Sequence, residues 1–146
     1  MILLDANVII RLVTVPDTPV TTSMTSIAAG LFRSIESGES EAMVSEAVLA
    51  EVAFILTSPR HFGMEVPEIA GKLAALLQLR NLRVSDQQTL LYALALWAER
   101  PKLGFVDALT ATQARRLNVE LLTFDSDFDG IEGIRHWVPP NGEPSA

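Results

Sequence analysis

The chain has 146 residues, 49% of them hydrophobic, with 8 Gly and 8 Pro, which describes one packed globular domain and excludes a disordered or fibrous chain. It contains no Cys, so disulfides, thiolate zinc sites, iron–sulfur clusters and a cysteine nucleophile are excluded; with only two His, His61 and His136, any metal would be held by oxygen. Eleven Lys and Arg against 18 Asp and Glu leave a net charge of −7 and an isoelectric point near 4.7, the opposite of the balance on which non-specific nucleic-acid binding relies.

The start, MILLDANVIIRLV, has no basic leader, and an acid stands already at Asp5, so a secretory signal is not expected and the cytoplasm is. Met1–Leu4 reads as a short buried strand, Ala6–Val13 as a helix, and Thr14–Thr21, with Pro16 and Pro19, as a loop. Thr22–Ser37 carries Ile27, Leu31 and Ile35 on one helical face and ends near Gly38. Ala42–Ser45 is a second strand, followed by an apolar helix over Glu46–Thr57 with Ser45 as N-cap and Pro59 as its stop. Val66–Leu79 opens with Pro67 in its first turn, Leu82–Ser85 is a short strand, and Asp86–Arg100 is another apolar helix. Its run Leu90–Ala98 is far short of the roughly 20 residues a bilayer requires, so no membrane span is expected. After Gly104 come a helix over Phe105–Leu117, a strand over Glu120–Phe124, the acidic turn Asp125–Gly130 and a last strand over Ile134–Val138. This alternation predicts an α/β domain over residues 1–138, with 139–146 as a flexible tail.

Four carboxylates stand out by position. Asp5 and Asp125 each end an apolar strand-like run, where open α/β sheets place their ligands. Glu51 is the only charge between Ala47 and Leu56, and Asp107 is alone within Phe105–Leu109 at a helix start. Each has an ordinary explanation: Asp5 as an N-cap, Asp107 as a partner of the helix dipole, Asp125 as a turn former, Glu51 as one half of a buried ion pair with Arg11 or Arg115. Glu51 fits worst, because mid-helix in an apolar segment it is expected to be buried, at a desolvation cost of several kcal/mol. Together the four are better explained by convergence on one cation. An oxygen-only site selects Mg²⁺ or Mn²⁺, and the chemistry it points to is metal-dependent phosphodiester hydrolysis. Bound cations would then offset much of the net negative charge.

The chain resembles the PIN-domain ribonucleases, and among them the VapC-like toxins of toxin–antitoxin pairs. The likeness covers nearly the whole chain and rests on Leu4-Asp5-Ala6-Asn7, on Ser45 followed by Glu51, on Asp107-Ala108-Leu109 with Ala111 and Ala114, and on Leu122-Thr123-Phe124-Asp125-Ser126-Asp127-Phe128. It implies a three-layer α/β/α sandwich around a short parallel sheet, with Asp5, Glu51, Asp107 and Asp125 as a catalytic, metal-binding quartet for Mg²⁺ or Mn²⁺. Asp127 would assist the metal, and Asn7 and Thr123 would support the site or orient substrate. An RNA substrate and a small antitoxin are the implied partners. The segments Thr14–Thr21 and Ser58–Met64 match no motif of the family.

Rival readings are a PIN-fold module that binds without cleaving, a haloacid-dehalogenase-like phosphatase and a calcium-binding loop. The phosphatase lacks its second motif Asp, replaced by Asn7. The calcium loop fits Asp125–Gly130 but places His136 where a bidentate Glu belongs. Leu73–Leu79 and Leu90–Ala98 carry more apolar surface than one face uses, which points to a homodimer; Trp97 and Tyr92 are expected in the core or at that interface. His136 is expected to be structural, and Arg115 to be solvated or to approach the site mouth.

Overall fold

Parallel strands cannot be joined by a hairpin, and the first part of the chain meets that constraint by returning through a pair of helices each time. The structure, a computed structural model, describes residues 1–140. Strands Ile2–Leu3 (β1), Ala42–Met43 (β2) and Leu82–Arg83 (β3) form a parallel sheet in the order β1-β2-β3, with Ile2 opposite Ala42 and Ala42 opposite Leu82. Helices Ala6–Val13 (α1) and Pro19–Ser37 (α2) join β1 to β2, and Glu46–Thr57 (α3) and Val66–Leu77 (α4) join β2 to β3. Helices Gln87–Glu99 (α5) and Phe105–Leu117 (α6) follow. The chain is thus α/β, with six α-helices and a three-stranded parallel sheet among the described residues. It divides into two compact units, Met1–Gln87 and the residues from Gln88 onward.

In the first unit α1 packs on α2 and α3, and α4 on α3 and β3. Ile9, Ile35, Leu49, Val52, Leu56, Ile69, Leu73 and Leu77 are buried. Ser45 caps α3 as expected, accepting a bond from Val48 N at 3.2 Å. Helix α2 begins earlier than the predicted Thr22. Thr18 is its N-cap: its hydroxyl accepts from Thr21 N at 3.0 Å, Thr21 Oγ1 accepts from Thr18 N at 2.9 Å, and Pro19 occupies the first turn. Of the expected stripe Ile35 is buried, while the other two positions shift by one residue, from Ile27 to Ala28 and from Leu31 to Phe32; Ile27 is 71% exposed. One residue is about 100° of helix, enough to turn a predicted core position toward solvent.

In the second unit α5 buries Thr89, Leu90, Ala93, Leu94, Leu96 and Trp97, and α6 buries Phe105, Ala108, Leu109, Ala111, Thr112 and Ala114. Trp97 meets Phe105 edge to face, with centroids 5.7 Å apart. Much of the apolar content of α4 and α5 that pointed to a dimer is therefore buried within the chain itself. Tyr92 lies outside the core, 46% exposed, with the Arg116 guanidinium 5.1 Å from its ring centre. The strands expected over Glu120–Phe124 and Ile134–Val138 shrink to one parallel bridge between Leu121 and His136. There Leu121 N donates to Arg135 O at 2.8 Å and Trp137 N to Leu121 O at 2.9 Å. Of the first run only Leu121 is buried; Leu122 and Phe124 face outward, so the sequence is apolar where the backbone has no sheet to join. Of the expected tail, residues 141–146 lie outside the described residues. Among the described residues no helix is long and apolar enough to cross a membrane.

Leu56 is completely buried on α3. Leu56→Ala is expected to cost about 2–5 kcal/mol, seen as a lower denaturation midpoint with an unchanged slope.

Candidate active site

In the first unit, the bond from Leu4 N to Met43 O at 2.9 Å fixes the end of β1, and the next residue, Asp5, is the N-cap residue of α1. Its backbone is extended, at φ −90° and ψ 163°, and its carboxylate makes no capping bond. Capping therefore does not occupy this side chain, which is exposed together with Asn7. The expectation that Glu51 is buried is overturned. Leu49, Val52, Ala53 and Leu56 form the buried side of α3, while Ala47, Glu51 and Phe54 form a solvent-facing stripe at helical spacing. The segment is apolar all round but has a wet face, and Glu51 stands on it. Among the described residues no ion pair joins Glu51 to Arg11.

In the second unit, α6 starts at Gly104, whose φ of 80° and ψ of 156° are essentially available only to glycine. This bend places Asp107 in the first turn of α6, half-buried. Burial raises the Asp107 carboxyl above its ordinary value of 3.8, and the negative charges of Asp125 and Asp127 raise it further. Asp125 Oδ1 accepts a bond from Asp127 N at 2.8 Å, and Asp125 N donates to Thr123 Oγ1 at 3.1 Å. Residues Ser126–Phe128 form a 3₁₀ turn pinned by the buried Phe128. Arg100 holds the far side of the turn, donating to Asp129 O at 3.2 Å and Gly130 O at 3.0 Å. A cavity of about 430 Å³, lined in part by Lys102, Ser126, Asp127 and Asp129, opens beside it.

The acidic turn is not an EF-hand: the segment leading directly into it is the bridged, non-helical stretch around Leu121, and His136 is the other side of that bridge. Arg115 is committed elsewhere, donating to Glu132 O at 3.2 Å and packing so closely under Gly133 that a Cβ there would lie 2.8 Å from it. Arg100 and Gly104, which shape the acidic turn and the start of α6, were not singled out from the sequence. Gly104 could have been, as a glycine immediately before a helix that carries a lone acid. Arg100 had no such signal, since its partners are carbonyls about 30 residues away.

The donors available are oxygens of the kind Mg²⁺ and Mn²⁺ prefer. Among the described residues, no three or more His, Asp or Glu side chains form a group that could hold a metal as they stand. The electrostatics still fit a cation: after burial, the negative charges of Asp125 and Asp127 raise the Asp107 carboxyl, and a positive ion would offset that repulsion.

A family model described as PIN domain matches residues 2–134. The chain belongs to the PIN domain family. The match runs through both units and includes Asp5, Asn7, Glu51, Asp107, Thr123, Asp125 and Asp127. PIN domains are generally nucleases and generally use divalent metals, which agrees with the oxygen-only donor set. A search of curated proteins found no matching relative.

Two outcomes are expected. No atom lies within 4 Å of a Cβ built on Gly104, so Gly104→Ala is penalised by backbone conformation alone. A loss of about 1–3 kcal/mol in a denaturant titration is expected, and an unchanged midpoint would contradict the assignment. For Asp107, the raised value means that the metal-free folded state binds more protons than the unfolded state, so its contribution to stability falls as pH rises through and above 3.8. With EDTA present, Asp107→Asn should melt above wild type at pH 7, a gap that closes as pH drops below 3.8. A gap that widens on acidification would reverse the sign.

Proposed function

We propose that this PIN domain is a metal-dependent endoribonuclease, the toxin of a toxin–antitoxin pair of the VapC-like type, acting as a single nuclease domain over residues 1–138. The observation that carries the reading is the family match across all four acids, together with the electrostatic coupling of Asp107 to Asp125 and Asp127. Asp5, Glu51, Asp107 and Asp125 would hold Mg²⁺ or Mn²⁺, with Asp127 assisting. Bound there, such an ion polarises a phosphodiester and lowers the pKa of water. Thr123 positions the Asp125 backbone, and Asn7, exposed in the first turn of α1, is available to orient substrate.

A cognate antitoxin fits an exposed apolar face of α2. Val20, Met24 and Ile27 point outward there, Met24 and Ile27 beside a cavity of about 250 Å³ that Val8, Arg11 and Leu31 also line. An amphipathic helix is the ligand such a surface takes. A homodimer, suggested by the apolar runs Leu73–Leu79 and Leu90–Ala98, and a cytoplasmic location, suggested by the character of the first residues, complete the proposal.

The deciding experiment is cleavage of single-stranded RNA by the purified chain with Mg²⁺, with Mn²⁺ and with EDTA. Wild type should cleave only with metal, and Asp5→Asn and Asp107→Asn should each lose about a hundredfold or more while keeping the wild-type fold by circular dichroism. Full activity in both variants would sink the site assignment. RNA binding without cleavage under every metal condition would replace the enzyme with a PIN-fold binding module.

A further inference from the structure

A chain with net charge −7 that works on a polyanion must set some of its few cations where the substrate lies. Most of its basic side chains are engaged. Arg83 pairs with Glu41, Lys72 with Glu68, Arg100 and Arg115 donate to backbone carbonyls, Arg135 bonds Asn118, and Arg116 lies over Tyr92. Among the described residues Arg33, Arg80 and Lys102 make no such contact, and neither do Arg11, Arg60 and His61, which are set apart by where they lie. Arg11 Nε is buried without a partner. Arg11, Arg60 and His61 all line one cavity of about 440 Å³ in the first unit.

The walls of that cavity include parts of Thr14–Thr21 and Ser58–Met64, both inside the stretch that the family model matches. Asp17 and Thr21 come from the first; Arg60, His61 and Phe62 come from the loop after α3. That loop is a closed turn: Gly63 N and His61 N both donate to Ser58 O, at 2.9 and 3.0 Å, and Met64 N donates to Leu56 O at 2.8 Å. It presents Arg60, His61 and Phe62 on an ordered support, all exposed. Asp17 is the one acid in the lining, and it accepts a bond from the Thr21 hydroxyl at 3.3 Å. The cavity also includes Asn7, two residues past Asp5, and Ile55, one helical turn past Glu51. It therefore adjoins the elements that carry both acids of this unit.

We infer that this cleft receives the backbone of the RNA strand, with Arg11 and Arg60 on a phosphate, His61 donating beside them and Phe62 stacking on an adjoining base. The inference rests on the ribonuclease reading for the identity of the polymer. A guanidinium offers two parallel donors to a phosphate, and an exposed aromatic ring beside such a group is a platform for an unpaired base.

The test uses the full chain in EDTA and a fluorescein-labelled single-stranded RNA of about a dozen nucleotides, with binding read by anisotropy over a range of salt. Arg60→Glu should weaken binding roughly tenfold and lower the slope of log affinity against log salt by about 0.7 for each phosphate that is no longer neutralised. Phe62→Ala should weaken binding without changing the slope. Arg80→Glu makes the same charge change at another exposed position of this unit and should stay within about twofold of wild type. The Arg60 side chain makes no bond among the described residues, so its variant should melt with wild type. Equal losses in Arg60→Glu and Arg80→Glu would reduce the effect to net charge and overturn the proposal, as would wild-type binding by Arg60→Glu. Cleavage of the same RNA in Mn²⁺ separates the two readings. Binding through Arg60 without any cleavage by wild type leaves the cleft standing and removes the ribonuclease. Cleavage at wild-type rates by Arg60→Glu under subsaturating RNA removes the cleft and leaves the ribonuclease. A wild-type chain that neither binds nor cleaves removes both.

Discussion

Like charges at Asp107, Asp125 and Asp127 push against one another, and the local structure of the second unit resists that push. Asp107 cannot swing away, because the glycine-only bend at Gly104 fixes where α6 begins and the helix is anchored by Phe105, Ala108 and Leu109 in the core. Asp125 and Asp127 are held by a turn that Phe128 pins from inside and Arg100 grips from outside. The repulsion is thus contained by packing and backbone hydrogen bonds, and among the described residues no ion pair neutralises these acids. Such an arrangement leaves their charge available to something from solution.

The first unit solves a different problem. Its two acids stand at an element junction and on a wet helix face, where solvation rather than structure satisfies them. What the fold contributes there is position: the last ladder bond of β1 sets Asp5, and the buried face of α3 sets Glu51 by exclusion. Arg11, Arg60 and His61 lie in the cleft that those same elements border, so these basic side chains and the two acids stand on neighbouring parts of the unit's surface.

The elements with a strong local cause were legible in the sequence. The span of α3 follows from Ser45 and the apolar run after it, and α6 and its lone acid from Gly104 to Leu117. The start of α2 was hidden although its signal is local: Thr18-Pro19 with Thr21 is a cap, but among several Thr and Pro it reads as a loop. The phase of α2 and the exposure of Glu51 could not be read, because an apolar residue at helical spacing does not say which neighbour faces it. Leu121–Phe124 failed as a strand for a related reason, since strand formation depends on a partner that a short run cannot specify. The positions of the acids were visible. What holds the turn was not, because Arg100 acts through backbone carbonyls that carry no sequence identity.

The sheet itself is minimal, three strands of two residues each. Its outer strands, β1 and β3, therefore expose very little open backbone edge, and β3 carries Arg83 paired to Glu41 beside it. An incoming extended segment from another molecule would find room for only a bond or two before the ladder ended against helix, with a charged pair at one rim. Edge-to-edge stacking, the common route by which parallel sheets recruit further copies into aggregates, is thereby starved of template in a protein whose surface is otherwise generously apolar.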